Sequence, residues 1–397
     1  MKVLVAHNFY KQSGGEDLCV ASEIAMLRQN GDEVIEYFLH NDAVDNMWKI
    51  EAAARTIWNP ASFKKLRKLF RETQPDIAHF HNTFPLMSPA AYYAARAEGV
   101  GVVQTLHNFR LTCAGALLLR DGSICEDCLG SYAPWSGIWR KCYRGSHTAS
   151  ATVTTMLAAH RAAGTWQDAV DIYIALTEFG RHKFISAGLP HDRIMVKPNF
   201  LDQDPGLGSG GKGFGVYVGR LSHEKGIGTL LDAWRHLGGE IPLKIIGDGP
   251  MAAQVEAAAS QNSSIKWLGQ LSADLVYEYI GHAAFLIVPS ICFEGFPRVI
   301  VEAFAKGTPV IASRMGAMAE LIEEDYTGLF FRPGDGSDLA SAARRILVGP
   351  TKLQQMRRSA RMKFENDFTS DRNYEEIKKI YARVLDIQAG RETSSVS

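Results

Sequence analysis

The sequence has no surplus of either charge. Its 43 lysines and arginines balance 43 aspartates and glutamates, so the formal net charge is zero over 397 residues. Without a basic excess there is no global attraction for a polyanion, and nucleic acid is not expected as a partner. Long apolar runs are missing too. The opening Met1-Lys2-Val3-Leu4-Val5-Ala6-His7 is too short in its apolar stretch for a secretion signal and reads as a first strand. No run approaches the roughly 18 apolar residues of a spanning helix. The expected location is cytoplasmic, with peripheral contact to the inner membrane surface left open. Cysteine is scarce, six in all, yet four of the six fall between residues 113 and 142. In a reducing compartment such clustering points to metal or reactive thiols before disulfides.

What is present is an ordinary globular composition, 46% hydrophobic and 22% charged, in a length that suggests two domains of about 100–200 residues each. Short β-like runs alternate with helical ones. Val3–Ala6, Val34–Leu39, Ile77–His81, Val102–Leu106, Ile172–Leu176 and Ile194–Val196 read as strands. Gly15–Gln29 reads as a helix with Leu18, Ile24, Met26 and Leu27 available for its apolar face. Asp202–Gly213, rich in glycine, cannot hold a regular element and is the linker candidate. After it the alternation restarts, with strands at Phe214–Val218, Leu243–Ile246, Ile265–Leu268, Phe285–Val288 and Pro309–Ala312. Helices are expected at Gly228–His236, Met251–Ala259, Ser272–Gly281 and Arg298–Ala305.

The pattern is α/β, with two doubly wound Rossmann-like domains. The division expected is residues 1–200, a linker over 201–213 and a second domain over 214–373. A last helix near 374–389 would pack back on the first domain. Ligands of open parallel sheets sit beyond the carboxyl ends of the strands, so two such domains facing each other would enclose a cleft.

Two motifs carry chemistry. Tyr217-Val218-Gly219-Arg220-Leu221-Ser222-His223-Glu224-Lys225-Gly226 runs from a strand through a loop into a helix. A helix N-terminus favours anions. Arg220 offers a bidentate fork to phosphate oxygens and Lys225 a point charge. Alternatively the two are surface cations beside a turn. The second motif runs from Pro289 to Ile311. Glu294 and Gly295 sit in the loop after a strand, a helix opens near Pro297, and Glu302 lies among Ile300, Val301, Ala303 and Phe304. An acid in so apolar a stretch needs a partner. A pair of sugar or ribose hydroxyls would serve, since a carboxylate accepts two hydrogen bonds; so would a neighbouring Arg or Lys.

Val218-Gly219-Arg220 with Lys225-Gly226, Glu294 with Glu302, and Gly307-Thr308-Pro309-Val310-Ile311 together resemble the retaining glycosyltransferases of family 4, which have the GT-B fold. The resemblance covers nearly the whole chain. It implies that Arg220 and Lys225 hold the diphosphate of a UDP- or GDP-sugar donor. It implies that Glu302 binds the ribose, that Glu294 faces the transferred sugar with Gly295 and Phe296 beside it, and that backbone near Leu268 meets the base. The family's usual run after the first Glu is Gly-Phe-Gly-Leu-Pro; here it is Gly295-Phe296-Pro297-Arg298. In the first domain, Ser13-Gly14-Gly15-Glu16 matches the family's glycine loop, where Gly14 and Gly15 would let backbone approach a phosphate. His107 matches the donor-sugar-facing histidine, although many relatives carry Asp after it and this chain has Asn108. His79 and His81 flank another strand end and rank below it.

The activity implied is transfer of a hexose to a glycan or lipid-linked acceptor, with retention, in cell-surface polysaccharide or glycolipid synthesis. The alternatives are a GT-B sugar-nucleotide epimerase and an inactive sugar-nucleotide-binding partner subunit. No catalytic cofactor is implied. The Asp202-Gln203-Asp204 run sits at the linker and reads as solvated polarity, so catalytic Mg²⁺ is not expected. Cys125-Glu126-Asp127-Cys128, with Cys113 before and Cys142 after, suits a tetrahedral thiolate zinc that would staple a long loop. Reduced packing thiols are the alternative. Phe63-Lys64-Lys65-Leu66-Arg67-Lys68-Leu69-Phe70-Arg71 is a basic amphipathic segment that would touch anionic lipid, or else a solvated helix face.

Overall fold

The computed structural model describes residues 1–11 and 14–395. It divides into two compact units. The first holds Met1–Leu118, Cys125–Asp202 and Asn373–Ser397; the second holds Leu119–Ile124 and Gln203–Arg372.

The strands of the first part of the chain are β1 (Lys2–Phe9), β2 (Glu33–His40), β3 (Ile77–Asn82), β4 (Gly101–Leu106), a short hairpin β5 (Leu119–Arg120) and β6 (Ser123–Ile124), β7 (Ile172–Ala175) and β8 (Ile194–Val196). Those of the second are β9 (Gly215–Val218), β10 (Leu243–Ile246), β11 (Ile265–Trp267), β12 (Phe285–Val288), β13 (Val310–Ser313) and β14 (Gly328–Phe331). The first sheet has the order β2-β1-β3-β4-β7-β8 and the second β11-β10-β9-β12-β13-β14, each with parallel neighbours. Both are therefore Rossmann-like. Strands β3, β4, β12, β13 and β14 are buried along their whole length. Helices on both faces of a parallel sheet produce that pattern, and it explains the continuous apolar runs.

Strand order fixes where each unit has its crevice. In the first sheet the winding direction reverses between β1 and β3; in the second it reverses between β9 and β12. The loops leaving the carboxyl ends of such a strand pair diverge, and ligands bind between them. In the first sheet the β1–β3 ladder also shifts register between Ala6 and His7, so that His7 pairs with Asn82. An irregularity of that kind next to a crevice re-aims the side chains around it.

Each expected strand is present, its ends displaced by at most three residues. The sequence reading lacks β14 and the hairpin. Gly328-Leu329-Phe330-Phe331 is too short to show a period. The helix Gly15–Gln29 forms over the expected range, with Val20, Ile24, Met26 and Leu27 buried. Leu18 does not join them and is 51% exposed. It lies about 240° around the helix from Ile24, off the stripe.

The final helix, Ser370–Ser395, places Ile377, Ile380, Tyr381 and Val384 in the same buried cluster as Val3, Val5, Val20 and Ile77. Their i, i+3, i+4, i+7 spacing is one helix face, and each aliphatic member contributes roughly 1.5–3 kcal/mol on burial. Gly101 has no room for a side chain, because a Cβ there would come 2.5 Å from Val384 Cγ1. The run over 204–213 holds no regular element but is docked within the second unit. Gly208 N–H donates to Lys306 O, Gly210 N–H donates to Gly281 O, and Arg357 donates to Gly208 O. Asp204, expected as solvated polarity, is exposed and also paired to Arg361 at 2.5 and 2.8 Å, while Asp202 accepts from Ser22 Oγ at 3.0 Å.

Candidate functional site

In the second unit the expected residues gather at the carboxyl ends of adjacent strands. Arg220 is exposed just beyond β9. Lys225 follows it in a single 3₁₀ turn, and the helix Ile227–Leu237 begins after Gly226. Glu294 lies in the loop after β12, which is next to β9 in the sheet. The two loops are joined. Lys225 Nζ lies 2.7 and 2.9 Å from the two Glu294 oxygens, Ser290 Oγ donates to Glu294 at 2.6 Å, and Ile291 N–H donates to Glu224 O at 3.0 Å. Gly226 is required at this junction. Its φ is +73°, and a Cβ would fall 1.8 Å from Pro289 O.

Burial works against the Lys225 charge, but the Glu294 carboxylate outweighs it and raises the ammonium pKa. Lys225 is thus a firmly protonated cation at the switch point. Glu302 sits in the helix Arg298–Ala305, its carboxylate 3.5 Å from Arg298 Nε one turn back. Burial raises the Glu302 carboxyl and Arg298 offsets only part of this. The neighbouring arginine expected as an alternative partner is therefore there, but at a distance too long for a hydrogen bond. Pro297 caps this helix from outside rather than opening it. Phe296 packs edge-on against Phe368 at 6.1 Å, and Gly295 is half-buried beside it. Leu268 follows β11; its N–H donates to Ile245 O, and Trp267 Nε1 donates to Gly247 O at 2.9 Å.

In the first unit a pocket opens at the ends of β3 and β4, lined among others by Glu16, His81, Asn82, His107, Asn108 and Arg110. His107 follows β4 directly. Its Nε2 lies 2.9 Å from His81 Nδ1, and the two rings stack with centroids 5.2 Å apart. Behind them Glu23 Oε1 lies 3.2 Å from His81 Nε2 and 2.9 Å from His79 Nδ1, and Lys197 Nζ lies 3.1 Å from Glu23 Oε2. His79 is held further by Tyr381 and Thr105, each at 2.8 Å. Glu23, His79, His81 and Lys197 are all buried. Glu23 and Lys197 were invisible as site residues. The available signal was an acid at position 23 between Val20 and Leu27, on the core face of its helix.

Gly14 and Gly15 precede the first helix, and a Cβ on either would meet open space. Ser13 lies outside the described residues. The Gly14 amide is occupied, donating to Asp17 Oδ2 at 2.9 Å, while Asp17 Oδ1 pairs with buried His7 at 2.8 Å. Where the family pattern carries an acid, Asn108 donates to Glu16 Oε2 at 3.3 Å, and Tyr10 OH donates to the same oxygen at 3.2 Å. Burial pushes the Glu16 carboxyl up to about 8; the Tyr10 hydrogen bond pulls it back and the Asp17 charge adds to the rise. An Asp at position 108 would set two carboxylates against each other here.

The cysteines occupy one neighbourhood. A Cβ on Gly115 would be 3.8 Å from both Cys113 Sγ and Cys142 Cβ. Burial raises the Cys128 thiol, with Ser136 opposing and the charges of Cys113 and Cys125 adding to the rise. Among the described residues, the group that brings three ligand atoms within 4.8 Å is Glu23, His79 and His81 rather than the cysteines. The Lys197 ammonium already supplies a positive charge to that carboxylate. On the helix Pro60–Thr73, Lys64, Lys65 and Lys68 are exposed, while Arg67 and Arg71 are spent on Glu98 at 2.6 and 2.8 Å. Among the described residues, no helix is long and apolar enough to cross a membrane.

Known proteins match in the same two parts. A family model described as Glycosyltransferase Family 4 matches residues 28–204, and one described as Glycosyl transferases group 1 matches residues 202–363. An uncharacterized glycosyltransferase of Methanocaldococcus jannaschii is 24% identical over 97% of this chain and 99% of its own length. The amylovoran biosynthesis glycosyltransferase AmsK of Erwinia amylovora is 26% identical over 54% of this chain and 56% of its own length. HepE of Anabaena, solved in complex with UDP and glucose, aligns with a TM-score of 0.67 at 18% identity, over 96% of this chain and 99% of that one.

Proposed function

We propose that this protein, which is a glycosyltransferase with the GT-B fold related to both matched families, transfers a hexose from a UDP- or GDP-sugar to a glycan or lipid-linked acceptor with retention of anomeric configuration. The observation that carries the reading is the Lys225–Glu294 contact at the β9/β12 switch point. Lys225, held by Glu294, and exposed Arg220 are the cations that would meet a diphosphate there. In transfer, the bond from the anomeric carbon to the diphosphate oxygen breaks and a bond to the acceptor oxygen forms on the same face. The acceptor's proton passes to the departing diphosphate oxygen. Charge accumulates on that leaving group, and preorganised cations stabilise it. Glu294, already turned toward Lys225, is suited to accept from the sugar hydroxyls, and Glu302, with Arg298 too distant to satisfy it, from those of the ribose. Gly295 and Phe296 flank the sugar, and the backbone at Leu268 meets the base. In this reading His107 faces the transferred sugar, and Gly14 and Gly15 let backbone approach a phosphate.

The names of AmsK and HepE support polysaccharide synthesis with a uridine donor. A cytoplasmic site of action fits an acceptor at the inner membrane face, reached through Lys64, Lys65 and Lys68. Co-sedimentation with anionic liposomes that is unchanged when these lysines become Gln would remove that contact. A structural zinc on Cys113, Cys125, Cys128 and Cys142 is supported by the donor set of four clustered cysteines alone; metal analysis of the purified protein giving well under one zinc per chain would remove it. For the reaction itself, a panel of nucleotide sugars screened by thermal shift should single out one donor, since a bound ligand stabilises the native state. NMR of the product should then show the donor's anomeric configuration. An inverted product overturns retention, and stabilisation by no nucleotide sugar overturns the donor site.

A further inference from the structure

The pocket at the ends of β3 and β4 holds a cation without a carboxylate partner. Arg110 is half-buried and lines it, and among the described residues Arg110 forms no ion pair. Its guanidinium packs on two aromatic faces, 4.8 Å from the ring centroids of both Phe84 and Tyr143, and Nη1 donates to Ala114 O. Its backbone N–H donates to Asn108 Oδ1 at 3.0 Å. Stacking on a ring occupies the face of a guanidinium and not its N–H edge, and one carbonyl takes only one of five donors. The edge is thus held in place with donors to spare. Acids are scarce around it. Residues 129–167, which include Tyr143, contain no Asp or Glu, and Arg144 lies over the same Tyr143 ring at 5.4 Å. The acid that shares the pocket is Glu16. Its Oε2 accepts from Tyr10 and Asn108, while its Oε1 is buried with no hydrogen-bond partner. Burial lifts this carboxyl to about 8, so near neutral pH it keeps its proton. A neutral acid does not compensate Arg110, and its hydroxyl can donate. A half-buried charge without a counterion is costly, and an anionic ligand removes that cost.

We propose that this pocket is an anion subsite, in which Arg110 takes a phosphate or carboxylate group through its N–H edge and the Glu16 carboxyl adds a hydrogen bond. The planar fork of an arginine matches two oxygens of either group. Two ligands of the reaction can carry such a group: an acceptor that bears a phosphate, or an acidic sugar. The substrate class is anionic in both cases, which narrows the reaction proposed above. This rests on the reading that the pocket beside His107 meets the sugar or the acceptor. A competing account gives Arg110 only a bracing role, tying Ala114 to Phe84 and Tyr143, and leaves the pocket indifferent to ligand charge.

Isothermal titration with inorganic phosphate and with glucuronate separates the two accounts. The full chain is used with Arg220→Ala and Lys225→Ala, which silence the cations of the second unit. At least one probe should bind in the roughly millimolar range. Adding Arg110→Gln should weaken that binding at least about tenfold, and Arg110→Lys, which keeps the charge, should weaken it less. Tighter binding of phosphate assigns the anion to the acceptor, and tighter binding of glucuronate assigns it to an acidic sugar. Binding of neither probe, or binding that Arg110→Gln leaves unchanged, overturns the subsite. A loss that Arg110→Lys shares in full, with an equal fall in the urea midpoint, traces the effect to packing and overturns it as well. Neither probe carries a nucleotide, so a failure of UDP-glucose to bind the parent would strike the donor site and leave this result standing.

Discussion

The two domains have nearly the same layered sheet but use charge differently at its carboxyl edge. Beyond β9 and β12, charge stands at the surface: Arg220 is exposed and Lys225 meets Glu294 in a half-buried contact. Beyond β3 and β4 the ion pair is withdrawn: Glu23 and Lys197 pair in the interior, while His81 and His107 line the pocket beside Glu16 and Arg110. The first arrangement suits a strongly charged ligand such as a diphosphate. The second sets a buried ion pair behind a pocket wall that mixes imidazole, carboxyl and guanidinium groups. Nearly one fold therefore carries its ion pair near the surface in one domain and in the interior in the other.

The largest effect expected is on stability. Glu23→Ala leaves the Lys197 ammonium buried without its carboxylate and should cost about 3–5 kcal/mol, read as a lower midpoint in urea unfolding. A loss under 1 kcal/mol by that measure would mean that Lys197 is solvated, and the contrast with the second domain would disappear. Next comes Lys225→Ala. It should lower kcat/KM for the donor by roughly 10²–10³-fold, the scale of removing one preorganised group from a charged transition state, with the unfolding midpoint much less affected. Steady-state kinetics and urea unfolding on the same preparation check both halves.

These first two sites differ in how far sequence reveals them. The placement of Lys225 and Glu294 in loops beyond strand ends, and of Glu302 in the helix that follows, was legible because each lies in one continuous strand-loop-helix pattern. The Lys225–Glu294 contact itself was not legible, since it depends on β9 and β12 being neighbours across 69 residues of chain. The network behind His107 was hidden for the same reason more strongly. It joins residues 23, 79, 81, 107, 197 and 381, and no local pattern links them. β14 was missed because four residues carry no period, and the docking of 204–213 because glycine runs do not show what their backbone amides bind.

Smaller effects sharpen the contrast. Glu302→Ala should raise the donor KM by roughly 10–100-fold, in line with about 1.5–3 kcal/mol for hydrogen bonds to a charged group, with kcat changed less; a change confined to kcat would move Glu302 from binding to the reacting sugar. Glu16→Gln should show a pH-dependent gain. The folded carboxyl titrates near 8 against an ordinary value of 4.5. Between those values the folded state keeps a proton that the unfolded state has lost, so the parent loses stability as pH rises and the glutamine variant does not. The variant's advantage should grow from about pH 5 to pH 8 and then level, reaching roughly 1–2 kcal/mol. An advantage independent of pH would place Glu16 in contact with solvent.

The account turns on the second domain gripping the donor diphosphate through the β9 and β12 loops. Isothermal titration of UDP-glucose and of GDP-mannose into the full chain and into its Lys225→Ala variant tests this most directly. One of the two donors should bind the parent, and the variant should bind that donor at least about tenfold more weakly. Equal affinity for parent and variant would contradict it.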